Sequence, residues 1–134
     1  FVHRIKPEGK MPYYIANRET AKFRVEKRLY GLKLLEKLFE HLNSCEGITT
    51  AILFGSFARG DWSKSSDIDL FIYGDDSQVQ KGIFEAQLGR EIQLFTYSDP
   101  REMKKQLDPA VIPNIAKGFH ITESIEPFEV RVHV

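Results

Sequence analysis

Two carboxylates, Asp67 and Asp69, stand at i and i+2 within the run Asp67-Ile68-Asp69-Leu70-Phe71-Ile72. Extended backbone sends alternate side chains to opposite faces. The two acids therefore share one face, while Ile68, Leu70 and Ile72 turn toward a core. Ionised carboxylates held side by side repel, and a cation between them relieves the repulsion. A divalent metal answers that need, Mg2+ (or Mn2+), because Mg2+ takes one or two carboxylates and shares its other positions with substrate phosphates.

The other half of such a site lies upstream, in Leu53-Phe54-Gly55-Ser56-Phe57-Ala58-Arg59-Gly60. The apolar run Ala51 to Phe54 enters a Gly-Ser turn. Glycine lets backbone N–H groups approach a ligand, and a helix opening there aims its unpaired N–H groups and dipole outward. Ser56 adds a hydroxyl and Arg59 a positive charge one turn on. Metal-holding acids opposite a phosphate-holding turn make a nucleotide site.

These residues resemble the DNA polymerase β-like nucleotidyltransferase superfamily, in its minimal branch. That pattern is an apolar residue, Gly-Ser, about ten residues, then acid-apolar-acid-apolar. Phe54-Gly55-Ser56 and Asp67-Ile68-Asp69-Leu70 match it, and Ala58-Arg59-Gly60 and Ser66 match the longer form of the minimal branch. The resemblance covers most of residues 18–121. It implies a small α/β (α+β) domain with a mixed sheet and a nucleoside triphosphate substrate, ATP by expectation. Its activity would move a nucleoside monophosphate to a hydroxyl acceptor. It also implies an acceptor on a protein, such as a HEPN-type toxin, since minimal members commonly work as antitoxins.

Composition fits one small domain. The chain has 134 residues, 42% hydrophobic and 28% charged, enough for one core and too short for two ordinary domains. Cys45 is the single cysteine, which excludes an internal disulfide and fits a reducing, cytoplasmic setting. No apolar stretch approaches the ~20 residues of a membrane span. Net charge is zero, yet residues 1–40 carry ten Lys and Arg against five Asp and Glu, leaving the acidic excess to residues 41–134. That polarity suits nucleic-acid contact or, more simply, a solvated helix face.

Three segments follow. Residues 1–17 read as a β-hairpin, Phe1 to Lys6 and Met11 to Ile15 around Pro7-Glu8-Gly9-Lys10. In the resemblance this hairpin stands for the wing of a winged helix-turn-helix, with DNA contact routed through a missing N-terminal region; a plain hairpin is the alternative. Residues 18–121 hold the catalytic domain. A helix over residues 20–43 is capped by Thr20 and repeats Leu32, Leu35, Leu38, Phe39 and Leu42 at three- and four-residue intervals. Gly31 weakens it by up to about 1 kcal/mol relative to Ala, which suggests close approach of another backbone. Strands are predicted over 48–54, 67–73 and 91–97, with a helix over 77–88. Asp99-Pro100 and Asp108-Pro109 predict two short helices. Residues 122–134 alternate at their end and read as an edge strand or a disordered tail.

The chemistry rests on named residues. Asp67 and Asp69 hold the metal; Gly55, Ser56, Arg59 and Ser66 hold phosphate. Arg59 has a second reading, as partner of Asp61. Trp62 stacks on the base, lids the pocket or packs the loop, and Lys64 is a loop cation or an ordinary exposed lysine. The resemblance places a third carboxylate on the third strand, but the matching position is Gln93; Glu91, two residues earlier on the same face, is the candidate third acid. Three functions remain open: a nucleotidyltransferase, a nucleotide-binding module with little turnover, and a DNA-linked regulator.

Overall fold

The computed structural model describes residues 12–128, with side chains from Ala21 onward. Apolar runs of the length and β-branched content that favour extended backbone supply β1 (Ile48–Phe54), β2 (Ile68–Gly74) and β3 (Ile92–Tyr97), and a fourth strand, β4 (Phe119–His120), is added late in the chain. They form one mixed sheet in the order β3-β2-β1-β4. β1 runs antiparallel to β2 and β4, whereas β2 and β3 are parallel. The domain is α/β with a small mixed sheet, as the sequence implies, but the sheet has one strand more than its pattern signals. A two-residue strand has no period to read.

The sheet is covered on both sides, which explains why β2 is apolar on both faces. On one side Leu35, Leu38 and Leu42 pack against Ala51, Leu53, Leu70 and Ile72; on the other, Ile52 and Phe71 meet Met103, Leu107 and Ile115. Fully burying one such leucine or isoleucine contributes about 1.5–3 kcal/mol. The first layer comes from α1 (Pro12–Leu34) and α2 (Glu36–Ser44), the second from α5 (Pro100–Gln106) and α6 (Val111–Ala116). On the first side as well, α3 (Ser56–Arg59) follows β1, contributing Phe57 and Ala58, and α4 (Lys81–Leu88) makes the crossover that a parallel strand pair requires. Among the described residues no helix is long and apolar enough to cross a membrane.

Several expected boundaries move. Pro12–Ile15, read as the return strand of a hairpin, begin α1; Pro12 sits at the first helical position, where its fixed φ and missing N–H cost nothing. The opposing stretch, residues 1–11, lies outside the described residues, as do 129–134 of the alternating tail. Thr20 is interior to α1 rather than its cap. The single helix expected over 20–43 is two, bent at Leu35 (φ −95°, ψ 8°), four residues after Gly31. Gly31 faces an indole, not a backbone: a Cβ there would lie 2.6 Å from Trp62 Nε1. Residues 77–80 stay out of α4 because the Asp75 carboxylate accepts the Ser77 N–H and hydroxyl, both at 3.0 Å, fixing a turn there.

Candidate active site

β1 ends at Phe54, which is paired with Asp69 of β2. The chain then turns at Gly55, whose φ of +78° lies in the left-handed region that favours glycine. Space demands glycine as well, since a Cβ would collide with the Asp69 carboxylate. The strand pairing therefore brings the second acid directly against the Gly-Ser turn. Gly55, Ser56, Arg59, Ser66, Asp67 and Asp69 all line one cleft of about 610 Å³.

The loop that delivers Ser66 and Asp67 is fixed from behind. Arg90 donates to the carbonyls of Ser63 (2.7 Å), Lys64 (3.4 Å) and Ser66 (2.9 Å). Its guanidinium also lies over the rings of Phe57 and Trp62. Ser66 Oγ accepts the Ser63 N–H at 2.8 Å, so this hydroxyl organises the loop as well as lining the cleft.

Trp62 packs rather than stacks on a ligand. Its ring lies 4.9 Å from Phe57 at 3° between planes and 6.1 Å from Tyr30, and Nε1 donates to the Lys27 carbonyl at 3.1 Å. Of the three readings, loop packing holds. Lys64 is exposed and does not line the cleft. Arg59 lines the cleft and is paired with Asp61, its Nε 3.2 Å from Asp61 Oδ2. Cys45 is a buried filler whose thiol is pushed up by burial.

Burial, then the charge of Asp67, raise the Asp69 carboxyl above the usual carboxylate range, against a smaller opposing pull from Arg59. Two acids side by side and open to one cleft are a site that gains from a cation. The register of β3 decides what stands beside them. Asp69 is paired with Gln93, and Gln93 Nε2 lies 3.4 Å from Asp67 Oδ2. Glu91 precedes β3 and is exposed, away from the cleft lining. Among the described residues no group of three or more His, Cys, Asp or Glu is placed to hold a metal. The structure thus brings Asp67 and Asp69 together and leaves Glu91 outside.

A family model of the nucleotidyltransferase domain matches residues 32–131. The chain belongs to that family. It is also 61% identical over 28 residues to a Methanocaldococcus jannaschii protein named "Putative protein adenylyltransferase", a match covering 21% of this chain and 28% of that relative's length. In this nucleotidyltransferase domain, two carboxylates suit Mg2+ well, because the ion fills its remaining positions with water and phosphate oxygens.

The second wall of the cleft was not foreseen. Val111 and Asn114 of α6, with Lys117 and Gly118 just beyond it, complete the lining. The spacing of Val111, Asn114 and Lys117 at three residues, on a helix already predicted after Asp108-Pro109, is the signal that would have exposed them.

Proposed function

We propose that this domain transfers a nucleoside monophosphate from a nucleoside triphosphate, ATP by preference, to a hydroxyl acceptor on a protein. The observation that carries this reading is the Phe54–Asp69 pairing, which sets the acids against the Gly-Ser turn in a single cleft. Ser56 Oγ and the backbone N–H groups of the turn bind phosphate oxygens, and Arg59 adds positive charge at the rim. Asp67 and Asp69 are the ligands for Mg2+ or Mn2+. When bound, the cation neutralises charge on the phosphates and favours ionisation of the acceptor hydroxyl. The acceptor oxygen attacks the α-phosphorus, the bond to the bridging α–β oxygen breaks, and pyrophosphate leaves. The protein acceptor is suggested by the name of the Methanocaldococcus relative; a HEPN-type toxin is one candidate of that class, and a reducing cytoplasmic setting suits the free Cys45.

Gln93 favours a second reading, a nucleotide-binding module with little turnover. It occupies the register position beside Asp69 where a third acid would assist the acceptor, and general-base assistance is worth about 10²–10⁴-fold. One experiment separates the two. The chain is incubated with α-labelled ATP, Mg2+ and cell extract. Label on an acceptor protein, lost in Asp67→Asn, is the expected result; metal-dependent nucleotide binding without transfer would establish the module instead.

A further inference from the structure

The sequence motif supplies one wall of the cleft, and its charge is unfavourable for a triphosphate. Asp67 and Asp69 are both negative, and Arg59 is shared with Asp61. A metal-bound triphosphate is still anionic after one divalent ion is counted. Such a ligand needs another cation, and in a cleft with low-dielectric walls that cation acts strongly. Lys117 is the cleft-lining cation that, among the described residues, has no ion pair. Asn114 lies one turn earlier, and its amide likewise makes no hydrogen bond among those residues.

The wall that carries them is held in place. β4 is registered on β1 through Leu53↔Phe119 and Ile52↔His120. At Gly118 a Cβ would run into the Leu53 carbonyl oxygen, so the backbone after α6 lies directly on the strand that feeds the Gly-Ser turn. Ile115 is fully buried on the same helix, and the His120 ring bonds the Ala116 carbonyl at 2.7 Å. The backbone that carries Asn114 and Lys117 is thus held against the strand that feeds Gly55 and Ser56, while both side chains remain exposed.

We propose that Lys117, supported by Asn114, is the binding residue for the terminal phosphates of the nucleotide, opposite the acid pair. This inference rests on the nucleotidyl-transfer reading and adds to it the residue that distinguishes a triphosphate from a monophosphate. Its ammonium pairs with the β,γ end of the ligand, and the Asn114 amide donates to a neighbouring phosphate oxygen.

Calorimetric titration of the full chain with Mg2+ and α,β-methylene-ATP, then with AMP, tests it without requiring turnover. Lys117→Met is expected to weaken the triphosphate analogue by about tenfold to a hundredfold, the size of one charge-assisted hydrogen bond. AMP affinity is expected to stay near wild type, Lys117→Arg to recover most of the loss, and Asn114→Ala to give a smaller effect in the same direction. Lys117 is exposed, so the variants should fold, and their circular dichroism checks this. Wild-type affinity for the analogue in Lys117→Met, or an equal loss for both ligands, overturns the assignment while leaving the nucleotide site standing. A wild-type chain that binds neither ligand overturns both.

Discussion

Replacing Asp69 by Asn separates what its carboxylate costs from what it is for. Without metal or nucleotide the charge is a burden, because burial and Asp67 both hold this carboxyl above its ordinary range and Arg59 only partly offsets them. A carboxyl raised in the folded state binds more protons there than in the unfolded chain. Its contribution to stability is therefore greatest at low pH and falls as pH climbs through the raised pKa. Side chains two residues apart on extended backbone stand about 6–7 Å apart. Their repulsion is then about 0.6 kcal/mol at the dielectric of water and about 2.5 kcal/mol at an effective value near 20. Asp67 is exposed, which places the interaction in the lower part of that range, at about 1 kcal/mol. For a chain of this size that is about 4 °C in melting temperature. In EDTA near neutral pH, Asp69→Asn should melt about 4 °C above wild type, with the gap closing as pH falls below the carboxylate range. With Mg2+ and ATP at about a hundred times the dissociation constant, wild type gains about 2.7 kcal/mol, while the variant gains little, so the order of the two melting curves reverses. Differential scanning fluorimetry across pH, with and without ligand, reads both effects. An Asn variant that melts below wild type in EDTA would refute the reasoning, since the carboxylate would then be making a favourable contact in the empty protein.

Two other substitutions probe the surroundings of the acids. Gln93→Glu places a third carboxylate at the position paired with Asp69; it should lower the melting temperature in EDTA and raise metal-dependent transfer by about 10²–10⁴-fold, measured as label incorporated per minute. Arg90→Ala removes the donor to three loop carbonyls. It should destabilise the fold by about 1.5–3 kcal/mol and weaken Mg-ATP through the loosened Asp67, with hydrogen exchange in residues 62–67 accelerating more than in the sheet.

What could be read from the sequence is what the local chain dictates. Gly55 must turn whatever surrounds it, and carboxylates two apart entering a strand share a face, so Gly55, Ser56, Arg59, Asp67 and Asp69 were legible from types and spacing, whereas Ser66 came from the family resemblance. β1 and, to within one residue, β3 were equally legible, because each is a run of apolar residues bounded by a polar turn. The second wall was not, for it depends on Phe119 meeting Leu53 across a wide sequence separation, and a two-residue strand leaves no periodic trace. The helix bend at Leu35 was hidden because the leucine repeat continues straight through it. Pro12–Ile15 misled in the opposite way, since Tyr13, Tyr14 and Ile15 favour strands in isolation but follow a proline suited to starting a helix.

The parallel β2–β3 register links these points. Because Asp69 and Gln93 are partners, the third strand determines what completes the acid pair, and here it offers an amide within 3.4 Å of Asp67. An amide N–H steadies a carboxylate but cannot accept the acceptor's proton. In the proposed reaction, cation binding at Asp67 and Asp69 would be separated from base assistance, and the acceptor would have to lose its proton by another route, to solvent or to a group on a proposed acceptor protein. If that partner supplies the base, wild-type transfer depends steeply on the partner's own acidic residues. Gln93→Glu should then remove much of that dependence, because the missing group would be present within the domain's own cleft.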